Sequence, residues 1–384
     1  MLTSRGKKKI QQYHADHLLR QRIPIHKRHH KQLSIHNHAL INFASNDYLG
    51  LSTHANIKKS FIDGVEQYGF GSGSSAMISG YFKPQQQLEE KFAEYLKRDR
   101  AILFNSGYHA NLGVIQALAS RDSYVLSDKL CHASIIDGIQ LSRCNHFRYR
   151  HGDVHHVQNI IARLPRVDLI ITESVFSMEG SIASINQLAA ITHQHQALFM
   201  VDDAHGIGVI GKFGRGICDL VDSKTIDCLV TPLGKAFGGI GAFVSGQHEL
   251  MEIILQFART YTYTTALPPA ITVATLAALE VIQKESWRRE KLQRIITYFI
   301  KQAAQRNIVL NATDMTPIKT ILIGDNHSVL VIQEKLMERG FLVSCIRPPT
   351  VPRNTACIRI SLNCYHHEKE IDQLLDLIYE YVQE

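Results

Sequence analysis

The feature that most constrains this chain is a recurring unit: a short apolar run, a turn, then a helical pattern. Residues 101–104 form such a run, followed by Asn105-Ser106-Gly107 and a helical pattern to about residue 119. Further runs lie at 124–126, 147–149, 168–172, 197–201, 228–230 and 242–245. Several are almost wholly apolar, as expected of parallel strands covered on both faces. Strands alternating with helices build an α/β domain that binds ligands at the carboxyl ends of its strands. The predicted fold is therefore α/β, a mostly parallel central sheet flanked by helices.

Before this region, residues 1–45 read as an N-terminal arm with a helix over 11–22 that stops ahead of Pro24. The large α/β domain is expected over 46–268 and a smaller α+β domain over 269–384. The latter opens with a helical stretch through 306, followed by strands at 320–323, 341–345 and 357–361 and helices at 328–339 and 366–382.

Several function classes are set aside by composition. The 384 residues are 45% hydrophobic and 20% charged, which is ordinary for a globular protein. No apolar run approaches the roughly 20 residues that span a bilayer. The charged N-terminus lacks the apolar stretch of a secretory signal, so the expectation is a cytoplasmic protein with no membrane partner. Seven scattered cysteines with no C-x-x-C pair suggest neither disulfides nor a zinc ribbon. The net charge of +7 is spread rather than clustered, which favours a polyanionic substrate over nucleic acid. Paired histidines such as His155-His156 point apart on helix or strand, and no metal site is expected.

The chemical residues stand where apolar runs stop. Lys235 lies in the glycine-bearing loop Leu233-Gly234-Lys235-Ala236-Phe237-Gly238 after the run at 228–230. An amine held there is either a solvated turn residue or, if desolvated, a nucleophile toward aldehydes. Asp202-Asp203-Ala204-His205 ends another run and suits either a cap with a surface histidine or a polar site. Ser177, after the run that ends near Glu173, either donates a hydroxyl to an anion or makes a turn. Asn105 to Tyr108 mark a strand end and helix start, a geometry that seats phosphate. Gly206-Ile207-Gly208-Val209-Ile210-Gly211 matches G-x-G-x-x-G, but Asp202 to His205 separate it from the strand, and the glycines beyond Phe213 break any helix. Dinucleotide binding is not expected from it.

One cofactor makes a single site of these pieces. Pyridoxal phosphate needs a lysine for its aldehyde, an acid for its pyridine nitrogen, a donor to its ring oxygen, a stacking partner and a phosphate cradle. Five stretches resemble the α-oxoamine synthase family of fold-type I pyridoxal-phosphate enzymes, in order along the chain. They are Ser45-Asn46-Asp47-Tyr48-Leu49-Gly50-Leu51, Cys131-His132-Ala133-Ser134, Phe176-Ser177-Met178-Glu179-Gly180, Asp202-Asp203-Ala204-His205-Gly206 and the Lys235 loop.

That resemblance implies roles. Lys235 would bond the cofactor aldehyde and later move the Cα proton, Asp202 would pair with the pyridine nitrogen, His205 would bond the ring oxygen, and His132 would stack on the ring. Gly107, Tyr108 and Ser177 would hold the phosphate, and Thr264 and Thr265 would reach the phosphate of the other subunit of a homodimer. Asn46 and Glu173 would support the site, and Arg359 would bind the amino-acid carboxylate. Arg20, with Thr350 in the Ile346-Arg347-Pro348-Pro349-Thr350 stretch, resembles the branch that joins L-alanine to pimeloyl-CoA or pimeloyl-acyl carrier protein in biotin synthesis. The same family includes glycine C-acyltransferases, serine palmitoyltransferases and autoinducer synthases, and a non-catalytic partner subunit is a further alternative.

The chain departs from the family pattern at Pro232, where relatives usually place a threonine whose hydroxyl binds the phosphate. Either Thr231 substitutes through a shifted backbone, or the phosphate has one ligand fewer. Ala76-Met77 is a second departure, at a place where relatives often carry a basic or imidazole side chain.

Overall fold

A computed structural model describes residues 2–35 and 38–383 of the chain. Met1, His36, Asn37 and Glu384, which fall within the expected arm and C-terminal domain, lie outside the described residues. The chain divides into two compact units: residues 1–50, 178–180 and 290–384 make one, and 51–177 with 181–289 make the other.

Among the described residues, fourteen strands follow in chain order. The first unit begins with β1 (Lys27–His29), β2 (Gln32–Ile35) and β3 (His38–Asn42). The second unit holds β4 (Arg100–Phe104), β5 (Tyr124–Asp128), β6 (Asn145–Tyr149), β7 (Leu169–Glu173), β8 (Leu198–Asp202), β9 (Cys228–Pro232) and β10 (Ala242–Gly246). The chain then returns to the first unit with β11 (Ile318–Gly324), β12 (Phe341–Leu342), β13 (Ser344–Ile346) and β14 (Ala356–Ser361).

In the second unit, seven strands form one sheet in the order β4-β10-β9-β8-β7-β5-β6. All run parallel except β10, which pairs antiparallel with both β4 and β9. Every residue of β7, β9 and β10 is buried, which is why these runs carry so few polar side chains. The core beside the sheet joins Ile102, Val114, Ile135, Ile171, Met200 and Val230. Each side chain of this size, fully buried, contributes roughly 1.5–3 kcal/mol.

The first unit contains two small sheets, β1-β2-β3-β12 and β11-β14-β13. Its last helix, Glu368–Gln383, buries Ile371, Leu374, Leu375 and Ile378, a 3–4 spacing that puts one apolar stripe inward.

Two expectations change. The predicted helix at 11–22 is displaced to Leu2–Ala15, because the chain turns at Asp16-His17, where His17 takes a φ of 54°, well before Pro24. The helical stretch from 269 to 306 is two helices, Pro269–Lys284 and Trp287–Gln305. The break falls at Glu285, whose carboxylate accepts a hydrogen bond of 2.8 Å from Arg288 Nε. Among the described residues no helix is long and apolar enough to cross a membrane.

Candidate active site

Five strand ends along one edge of the large sheet in the second unit deliver the chemical residues. Leaving β4, the chain passes Asn105 and starts the helix Gly107–Leu118, capped by Ser106, whose hydroxyl accepts the His109 N–H. The N–H groups of Gly107 and Tyr108 open that helix and have no intrahelical acceptor. Beyond β5 comes His132, the N-cap of the helix Ala133–Ser142. From β7 the chain carries Glu173 and Ser177, from β8 Asp202 and His205, and from β9 Pro232 and Lys235.

Register keeps these ends level, since Glu173 lies opposite Asp202 and Asp202 opposite Val230. As a result Gly107, Tyr108, His132, Glu173, Ser177, Asp202, His205 and Lys235 line one cavity of about 160 Å³, together with Asn111, Ser134, Ala204 and Pro232.

The carboxylate of Asp202 is buried and held on both oxygens. Its Oδ2 accepts from Asn111 Nδ2 at 2.7 Å and its Oδ1 from the Ala204 N–H at 3.0 Å. Such a carboxylate has one fixed orientation, as an acid facing a ring nitrogen requires. Glu173 Oε1 accepts the His132 N–H at 2.6 Å and so fixes the start of that helix. Burial pushes the His132 imidazole pKa down; the Asp202 carboxylate opposes that shift, and Lys235 adds to it. The neutral ring is thus favoured.

The Lys235 loop is closed by its own backbone. Leu233 N–H donates to Gly241 C=O at 2.9 Å, and Gly239 N–H to Leu233 C=O at 3.1 Å. Gly238, with φ 67°, permits the turn and packs so tightly that an added Cβ would lie 2.3 Å from the Ser52 nitrogen. Lys235 itself is half-buried and borders the cavity.

At Pro232 the structure resolves the choice left by the sequence. Strands β9 and β10 stay in regular register there, with Thr231 opposite Phe243 and Pro232 opposite Ala242. No backbone shift occurs, and the buried Thr231 hydroxyl donates to Phe243 C=O at 3.4 Å, away from the cavity. Pro232 takes the cavity position, and its ring sits so near the opening helix that a Cβ on Gly107 would lie 2.6 Å from Pro232 Cγ.

Within the G-x-G-x-x-G match, Gly206 packs against Asp203. This second carboxyl is fully buried, accepts hydrogen bonds from the Ser174 hydroxyl and, at 3.0 Å, from the Ile217 N–H. An added Cβ would lie 2.0 Å from its Oδ1 at Gly206 and 1.8 Å from its Oδ2 at Gly216, which lies beyond the match. Burial raises the Asp203 pKa to about 7.

Other expected site residues lie elsewhere. Thr264 and Thr265 are outside the cavity; Asn105 Nδ2 donates to Thr265 C=O at 2.7 Å, and Thr265 bridges to Ser75. In the first unit, Arg359 is buried and donates from both terminal nitrogens to Asn46 Oδ1 at 3.2 Å. Arg20 donates to Thr350 Oγ1 at 3.0 Å, and both line a cavity of about 750 Å³ in that unit.

Sequence reasoning missed Asn111. An amide among Ala110, Gly113, Val114 and Ile115 on the buried side of a helix was the available signal. Ser134 stood in a quoted motif without a role.

This set fits pyridoxal phosphate: an amine, a fixed acid, two imidazoles, a hydroxyl and a helix N-terminus converge, and Asn111 Oδ1 is a buried acceptor without a partner among the described residues. The comparisons with known proteins agree. A model of the aminotransferase class I and II family matches residues 38–378. An 8-amino-7-oxononanoate synthase of Saccharophagus degradans is 43% identical over 90% of this chain and 87% of its own. One from Thioalkalivibrio sulfidiphilus is 41% identical over 97% of this chain and 96% of its own. Among solved structures, an 8-amino-7-oxononanoate synthase from Francisella tularensis is 37% identical with a TM-score of 0.80, over 90% of this chain and 98% of its own. The Sphingomonas wittichii serine palmitoyltransferase has a TM-score of 0.92 at 25% identity, over 98% of this chain and 96% of its own. The chain therefore belongs to the aminotransferase class I and II family of pyridoxal-phosphate enzymes, within its 8-amino-7-oxononanoate synthase group.

Proposed function

We propose that the chain condenses L-alanine with a pimeloyl thioester, releasing carbon dioxide and the thiol carrier and forming 8-amino-7-oxononanoate for biotin synthesis. The observation that carries this reading is the convergence of Lys235, Asp202, His132, His205, Ser177 and Gly107 on one cavity, in a chain that is 41–43% identical to synthases of that name.

Pyridoxal phosphate, when bound, supplies an aldehyde for the amine and a ring that accepts electron density from the amino acid's Cα. Everything else falls to the chain. Lys235 carries the aldehyde and takes and returns the proton at Cα. Asp202, fixed by Asn111 and Ala204, holds a proton at the pyridine nitrogen. With the cofactor bound, His205 would donate to its ring oxygen and His132 would pack against its ring. Gly107 and Tyr108 N–H groups with the Ser177 hydroxyl would hold the phosphate, with no threonine hydroxyl at position 232 to help them. Arg359, oriented by Asn46, binds the alanine carboxylate. Arg20 and Thr350 meet the acyl chain, on coenzyme A or acyl carrier protein. Thr264 and Thr265 complete the phosphate site of the partner in a homodimer, and the reaction belongs in the cytoplasm.

The serine palmitoyltransferase reading is favoured by its higher TM-score, 0.92 against 0.80. Identity decides against it, at 25% against 37%. The assay is thiol release with alanine, glycine or serine against acetyl, pimeloyl and palmitoyl thioesters. Alanine with pimeloyl is expected to give the highest kcat/KM. Preference for serine with palmitoyl, or glycine with acetyl, would contradict the proposal.

A further inference from the structure

A hydrogen-bonded relay runs beneath the cavity from Asp202 to His132. Asn111, 1% exposed, donates from Nδ2 to Asp202 Oδ2 at 2.7 Å and to Ser134 Oγ at 2.9 Å. Ser134, 0% exposed, has its Oγ 2.8 Å from His132 Nδ1, and its backbone N–H donates to the same nitrogen at 3.2 Å.

Hydrogen-bond polarity orders the whole chain. A backbone N–H can only donate, so His132 Nδ1 must present a lone pair. The Ser134 hydroxyl, already accepting from Asn111, sends its own hydrogen to Nδ1. Turning the Asn111 amide over would set its oxygen against the Asp202 carboxylate, so the amide orientation is fixed as well. The imidazole proton is left on Nε2.

We propose that Asn111 and Ser134 are positioning residues that hold His132 as the neutral Nε2–H tautomer and tie its ring to the Asp202 carboxylate. Resting on the proposed roles of His132 and Asp202, this explains how the two can share a site. A protonated His132 would compete with the cofactor nitrogen for the Asp202 charge. Two donors aimed at Nδ1 oppose that protonation. The charged and titratable groups around the ring are Asp137 on its own helix, Tyr108 on the helix Gly107–Leu118, Glu173 at the end of β7, Asp202 at the end of β8 and Lys235 after β9. The lowered His132 pKa has the direction the relay requires.

The test pairs a cofactor-independent readout with a kinetic one. Histidine ring nitrogens of the 15N-labelled full chain are recorded with and without pyridoxal phosphate, and the His132 signal is assigned by its absence from H132Q. The wild type is expected to show an unprotonated Nδ1 and a protonated Nε2 over about pH 6 to 8. In holoenzyme, S134A is expected to lower kcat about tenfold with the amino-acid KM unchanged, and to move the acid limb of the pH profile upward by about one unit. S134T, which keeps the hydroxyl, restores both, and N111A repeats the S134A result. A protonated Nδ1 in the wild type would overturn the proposal, even if neither variant folded. So would S134A and N111A profiles identical to the wild type. Because the tautomer is read without substrate or cofactor, failure of the proposed reaction would appear separately, as loss of alanine turnover with the tautomer intact.

Discussion

Strands β8 and β9 lie side by side and end at the same level, but the chain finishes them in opposite ways. β8 ends in two buried carboxyls, each with protein donors: Asn111 and Ala204 serve Asp202, and Ser174 and Ile217 serve Asp203. β9 ends in Thr231, whose hydroxyl turns into the sheet, and Pro232, which has neither hydroxyl nor N–H to offer. The Asp202 side of the cavity is thus held by several hydrogen bonds, and the Pro232 side offers neither a hydroxyl nor an N–H at that position. On the proposed roles, ring orientation and phosphate affinity are expected to respond separately to substitutions at the two strand ends.

The sharpest way to break this contrast is at β8. Asp202→Ala strips the partner from the cofactor nitrogen and from Asn111, and breaking a buried charged pair costs about 3–5 kcal/mol. Alanine-dependent turnover is expected to fall by about two orders of magnitude or more, measured at saturating cofactor; turnover within threefold of wild type would remove Asp202 from its role. At β9, Pro232→Thr is expected to tighten the cofactor. A hydrogen bond to a charged group contributes about 1.5–3 kcal/mol, so the Kd for pyridoxal phosphate, read by absorbance titration, should drop about tenfold. An unchanged Kd would mean that the phosphate is already fully served.

Asp203 sharpens the comparison through pH. Its folded pKa is raised to about 7, above the ordinary carboxyl value, so the folded state binds the extra proton and the associated stability is lost as pH rises through about 7. Urea unfolding should therefore show wild-type stability falling between about pH 4 and 7 more steeply than that of Asp203→Asn, which has no proton to lose. Equal slopes would show that Asp203 is ionised throughout. The smallest effect belongs to Thr231→Val: cofactor Kd unchanged, with stability altered by no more than about 1 kcal/mol, because among the described residues its hydroxyl makes a single long bond, to Phe243 C=O.

Much of this was legible in the sequence because buried parallel strands must be apolar and charge can only appear where they stop. Asp202, Glu173 and Lys235 stand at or just past such ends, and the seven strands of the large sheet fall within about two residues of the apolar runs. The three strands at 27–42 were not legible. β1 is the fully exposed Lys-Arg-His segment, and such a short polar edge has no hydrophobic alternation to read. Asn111 escaped because its partners, Ser134 and Asp202, are 23 and 91 residues away in sequence, and only the register of β5, β7 and β8 brings them together. Pro232 was visible as a departure, but its consequence depended on whether β9 kept its pairing, which is a property of β10 as much as of β9.

The central claim, that Lys235 carries the cofactor, is tested most directly by borohydride reduction of the protein with pyridoxal phosphate, followed by peptide mass mapping. A single reduced pyridoxyl adduct is predicted on the peptide containing Lys235. Lys319 is an internal control: burial lowers its pKa to about 8, but it lies in the first unit with its amine donating to Asp314 C=O at 2.5 Å. An adduct on Lys319 or on any other lysine, with Lys235 unmodified, would contradict the account.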